Sequence, residues 1–100
     1  MTASTVEMRL ARAQKVEVTD DALTVSLDDG RTLSLPVGWY PRLLHATPKE
    51  RKRWRLIAGG VGIHWPHPDE DIRVENLLAC HPSGESQPSF KRWLEQRRRT

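Results

Sequence analysis

Regular patterning begins with alternation. Val16 and Val18 are separated by Glu17 and flanked by Lys15 and Thr19, and Leu23, Val25 and Leu27 are separated by Thr24 and Ser26. A period of two puts every second side chain on one face, as in a half-buried strand. Asp28-Asp29-Gly30 then forms a hairpin turn into Thr32-Leu33-Ser34-Leu35, with Gly30 supplying a positive φ. These runs predict a three-stranded antiparallel meander whose core face carries Leu23, Val25, Leu27, Leu33 and Leu35. Pro36 has no N–H for the ladder and ends the third strand.

The pattern changes after Pro36. Val37 to Tyr40 is a turn, and Pro41 suits a first helical position, with Leu43 and Leu44 on the apolar side. Thr47-Pro48-Lys49-Glu50 has the spacing of a capping box and predicts a second helix to about Trp54, with Arg51 turned inward. Ala58-Gly59-Gly60 is the turn of a second hairpin, whose return strand puts Ile63 and Trp65 on one face and His64 on the other. Pro66 and Pro68 stop that strand, and Asp69-Glu70-Asp71-Ile72 reads as an extended link with Glu70 in solvent. A short helix is expected over Val74–Ala79, with Leu77 and Leu78 inward and Asp71 near its positive end. Residues 81–88 have linker composition, and Ser89 is the expected cap of a last helix from Phe90 to about Arg98. Phe90, Trp93 and Leu94 fall at i, i+3 and i+4, one apolar stripe on a basic helix.

This layout is an α+β domain over residues 13–80, a leader over 1–12, a linker over 81–88 and a basic amphipathic helix over 89–100. In the leader, Val6, Met8 and Leu10 alternate with Glu7 and Arg9, enough for a short added strand. The expected core holds Val25, Leu27, Leu33, Leu35, Trp39, Leu43, Trp54, Ile63, Trp65, Ile72 and Leu77.

Composition sharpens the picture where charge is concerned. The 100 residues are 37% hydrophobic and 29% charged, in the globular range, and carry a net charge of +3. The first fifty residues hold six basic and seven acidic side chains; the last fifty hold ten and six. Two clusters make the bias: Arg51-Lys52-Arg53 with Arg55, and Lys91-Arg92 with Arg97-Arg98-Arg99. Such patches attract polyanions or acidic protein surfaces. The single Cys80 excludes an internal disulfide framework, and there is no secretory h-region or membrane-length apolar run. A cytoplasmic location without membrane partners is expected.

Catalytic chemistry finds little footing. His64, His67, Asp69, Glu70, Asp71, Cys80 and His81 are an adequate ligand inventory, but neither helical His spacing nor a Cys-x-x-Cys pair organises them. Cys80 beside His81 is a poor dyad because adjacent side chains diverge, and Gly59-Gly60-x-Gly62 is too short for a phosphate loop. No catalytic residue, metal or cofactor is expected.

Several linked motifs resemble the bacterial Domain of Unknown Function 2442 family over about residues 13–80. They are Asp29-Gly30-Arg31, Trp39-Tyr40-Pro41-Arg42-Leu43, Thr47-Pro48 with Arg51 and Trp54, Gly62-Ile63-His64-Trp65-Pro66, Asp69-Glu70-Asp71-Ile72 and Leu77-Leu78. The resemblance implies a small α+β domain in which Trp39, Arg42, Arg51, Trp54, His64, Trp65, Asp69 and Asp71 form the structural motif. Members look like single-domain proteins encoded beside a small toxin-like partner, or like first domains ahead of a helix-turn-helix. His67 and the Arg51-Lys52-Arg53 cluster depart from that pattern. The leading functional expectation is a non-enzymatic, antitoxin-like or regulatory module that binds a protein partner. The expected contact residues are Phe90, Lys91, Arg92, Trp93, Arg97, Arg98 and Arg99, with Arg51, Lys52, Arg53 and Arg55 as the second set. The alternative is a nucleic-acid-binding accessory or inhibitor subunit of a larger nucleoprotein assembly, and a third reading is a metal-dependent hydrolase.

Overall fold

Alternation along the first third of the chain becomes a meander of three antiparallel strands: β1 (Ala13–Val18), β2 (Ala22–Leu27) and β3 (Thr32–Pro36). The computed structural model describes residues 11–99, so most of the expected leader, the side chain of Arg99 and Thr100 lie outside the described residues. In β2, Leu23, Val25 and Leu27 are all buried; Leu23 pairs with Leu35 and Val18, Val25 with Leu33 and Val16, and Leu27 with Ala13. A register shift between Ala13 and Lys15 lets Ala13 and Val16 both face inward although they are an odd three positions apart.

The 3-10 turn Val37–Trp39 follows directly. Three residues per turn bring Val37 and Tyr40 onto one side, and these two are buried. Trp39, expected in the core, is instead 37% exposed, and Tyr40 takes that place. Helix α1 (Pro41–Leu44) buries Leu43, as expected of the core, but leaves Leu44, expected on the same apolar side, exposed. Helix α2 (Pro48–Arg51) starts on the expected capping box: the Thr47 hydroxyl accepts from the Glu50 N–H at 3.1 Å, and the Thr47 N–H donates to the Glu50 carboxylate at 2.8 Å. It ends three residues before Trp54, which instead packs half-buried against the core as the chain enters the next strand.

A second antiparallel sheet contains β4 (Arg55–Ile57), β5 (Gly62–Trp65) and β6 (Glu70–Arg73) in that order. Strand β6 corrects the extended link expected there: Ile72 pairs with Ile63, Asp71 with His64 and Glu70 with Trp65. Its acids obscured the strand pattern, yet Ile72 still alternates inward. Gly60 lets the β4–β5 turn sit on β1: its φ is +107°, and a Cβ there would lie 2.5 Å from the Ala13 carbonyl oxygen. Helix α3 (Val74–Leu78) buries Val74 and Leu77, and helix α4 (Gln87–Arg99) closes the order. The cap of α3 is Arg73, while Asp71 pairs with His64.

Arg51 joins the two halves. It is 5% exposed, and its Nε and Nη2 donate to the carbonyls of Leu43 and Leu44 at 2.9 and 2.8 Å, at the C-terminal end of α1. Its Nη1 meets the Asp20 carboxylate in the β1–β2 turn at 2.7 Å. Its own carbonyl accepts the indole N–H of the fully buried Trp65 at 3.2 Å.

Candidate functional site

Helix α4 begins at Gln87, a turn earlier than Phe90, because Ser86 rather than Ser89 supplies the first-turn hydroxyl: the Ser89 N–H donates to the Ser86 Oγ at 3.2 Å. Its apolar stripe turns inward. Trp93 is 8% exposed, and its indole N–H donates to the Pro68 carbonyl at 2.9 Å. Phe90 stacks on Trp93 at 5.7 Å, and His45 meets Phe90 at 5.3 Å. The guanidiniums of Arg42 and Arg97 lie over the Trp93 ring at 5.3 and 4.7 Å. Arg97 also donates to both Glu50 carboxylate oxygens, at 2.8 and 3.1 Å, and holds that carboxyl below its usual range.

The segment of linker composition is tied down as well. The Tyr40 hydroxyl donates to the His81 carbonyl at 3.1 Å, and the Ser83 N–H to the Trp39 carbonyl at 3.0 Å. Arg42 donates through Nε and Nη2 to Glu85 at 2.5 to 3.0 Å, and Ser89 Oγ reaches the same carboxylate at 2.8 Å. Arg42 holds the Glu85 carboxyl low, and Glu85 holds Arg42 high. The third nitrogen, Nη1, donates to the carbonyls of Pro68 and Asp69. Arg42 thus fixes the Pro66–Asp69 turn from one side and Trp93 from the other. Asp69 has a φ of +65°, the left-handed region that costs a non-glycine residue about 1 kcal/mol.

Two depressions flank this turn. One is a polar cleft walled by Tyr40, Arg42, Glu70, Asn76 and Glu85. Glu70, expected in solvent, is half-buried there. Its Oε1 accepts from the Asp71 N–H at 3.2 Å, while its Oε2 is buried without a hydrogen-bond partner among the described residues. Burial pushes its carboxyl up to about 7, against the weaker pull of the Asp71 N–H and Arg42. Burial, with the nearby Glu70 and Cys80, raises the Tyr40 hydroxyl to about 12. The other depression, of about 420 Å³, lies between the Pro66–Asp69 turn and α4; Arg42, His67, Asp69, Arg92, Gln96 and Arg97 line it.

The residues singled out in the sequence therefore separate. Arg51, Trp93 and Arg97 are engaged inside the domain, and Trp54 and Phe90 are partly covered. Lys52, Arg53, Arg55, Lys91, Arg92 and Arg98 are exposed. His64 pairs with Asp71, Cys80 is exposed, and among the described residues no three His, Cys, Asp or Glu side chains gather as a metal site. Glu85 carried no sequence signal and Tyr40 only its place in the Trp39–Leu43 motif, because their importance comes from partners more than forty residues away.

Two sheets with short helices define a small α+β domain. The family model described as protein of unknown function (DUF2442) matches residues 13–82, and the chain belongs to that family. The match ends before α4. The chain is similar to a protein of unknown function from Rhodospirillum rubrum, known from a crystal structure, with 22% identity and a TM-score of 0.66, covering 79% of this chain and 98% of that one. It is also similar to an uncharacterized protein from Chromobacterium violaceum, solved by solution NMR, with 16% identity and a TM-score of 0.64, covering 83% of this chain and 76% of that one. These likenesses establish the fold. No curated protein matches the chain. Among the described residues, no helix is long and apolar enough to cross a membrane.

Proposed function

We propose that this protein is a non-enzymatic, cytoplasmic regulatory module that binds a protein partner through the outer side of α4 and the turn beneath it. One observation carries the reading: Trp93 anchors α4 to the domain through Pro68, Arg42 and Arg97, and so presents Lys91, Arg92, Leu94 and Arg98 on a fixed scaffold. A recognition helix ordered beforehand loses little entropy on binding. The antitoxin-like form of the proposal rests on the family resemblance. The test is affinity capture of the tagged protein from its source cells, split into nuclease-treated and untreated halves. The expected result is one protein recovered equally from both, and lost when Arg92 and Lys91 are changed to Glu.

A second reading has its own support. The Arg97–Glu50 ion pair brings the two basic clusters together, since Glu50 is flanked by Lys49 and the Arg51–Arg53 run. A nucleic-acid backbone is the alternative occupant of such a surface, and its affinity falls steeply with salt. Against base stacking, Trp93 is buried and its ring already carries Phe90 and two guanidiniums.

A further inference from the structure

The groove between the Pro66–Asp69 turn and α4 belongs to neither of the sequence features that meet there. It is lined by three guanidiniums (Arg42, Arg92 and Arg97), together with His67 and Gln96, and by one carboxylate, Asp69. Two of the guanidiniums are already fixed by internal carboxylates, Arg42 by Glu85 and Arg97 by Glu50. Arg92 is exposed, with no ion-pair partner among the described residues. The wall is rigid because the Pro68 carbonyl is held by both Trp93 and Arg42. Pre-positioned donors around one uncommitted cation are the chemistry that receives an anionic oxygen group.

We infer that this groove receives a carboxylate side chain from an acidic segment of the protein partner, with Arg92 as its principal ion-pairing residue and Gln96 as a neighbouring donor. This rests on the protein-binding reading and names the partner's chemistry. At about 420 Å³ the groove is at the small end of ligand-site volumes, which suits one or two side chains better than a continuous run of phosphates. The covered Trp93 ring leaves no platform for a base. Charge complementarity also fits the exposed Arg92.

The test uses the full chain and a short polyglutamate peptide, with a polyglutamine peptide and a single-stranded oligonucleotide of equal length as controls. NMR follows the Trp93 indole N–H and the Gln96 side-chain amide. Polyglutamate is expected to shift both signals, polyglutamine neither, and Arg92→Glu to weaken binding about tenfold or more while the melting temperature stays unchanged. Lys15→Glu, on β1 and outside the groove, is expected to change nothing. The inference is overturned if polyglutamate leaves Gln96 and Trp93 unmoved, if Arg92→Glu binds as tightly as the wild type, or if the oligonucleotide occupies the groove more tightly than the peptide. A cellular protein partner retained by Arg92→Glu sinks the groove and leaves the protein-binding reading standing; absence of any protein partner sinks the reading itself.

Discussion

Glu70 occupies a place its residue type rarely takes and Gly60 one that no other residue type readily fills, and each makes a separate prediction. The Glu70 carboxyl is raised from 4.5 to about 7 in the folded chain, so the native state keeps a proton that the unfolded chain has already released. Stability therefore falls as pH rises between these two values, and above them the loss is constant, at most about 3 kcal/mol. Glu70→Gln cannot ionise. It is expected to unfold like the wild type near about pH 4 and at a higher temperature than the wild type near about pH 8, as thermal melts across the range would show. Glu50 and Glu85, held low by Arg97 and Arg42, act in the opposite sense: their stability is present above the usual carboxylate range and is lost as pH falls through their lowered values. Gly60 is a matter of shape. Gly60→Ala brings a methyl into the Ala13 carbonyl at a positive φ and is expected to destabilise by about 2 kcal/mol or more, whereas Gly84→Ala meets nothing within 4 Å and should melt within about 0.5 kcal/mol of the wild type.

Among the elements, those defined by local chemistry were legible. The meander followed from alternation, α2 from Thr47 and Glu50, and the β4–β5 hairpin from its glycines. Strand β6 was hidden because a run of acids imitates a loop and only its pairing with β5 reveals it. Trp39 and Tyr40 exchanged roles because a 3-10 turn has a different period from the helix or strand on either side. For α4, the stripe was readable but its destination was not: the same Phe90, Trp93 and Leu94 spacing serves a partner's groove or the parent domain. Here the indole is spent on Pro68. Trp93→Ala removes that anchor at a cost of about 3 kcal/mol or more. Amide exchange is expected to quicken across α4 while β2, inside the meander, keeps its protection. Equal loss in both would mean that α4 belongs to the cooperative core.

For the whole molecule, folding changes what the charge means. In the sequence two basic clusters lie some forty residues apart; in the fold Arg51 is withdrawn into the core, and Arg97 pairs with Glu50 beside the remainder of the first cluster. Function was less legible than fold, since a surface built from distant segments leaves no local motif. The polar cleft at Glu70 and the groove at Arg92 both depend on Arg42, which connects α1, the Pro66–Asp69 turn and Glu85. The most direct test of the protein-binding account is hydrogen exchange of the chain bound to the captured partner, compared with the free chain. Added protection is predicted over residues 66–69 and 89–98, with the meander unchanged. Protection confined to β4 or the meander, with α4 exchanging as it does when free, would contradict it.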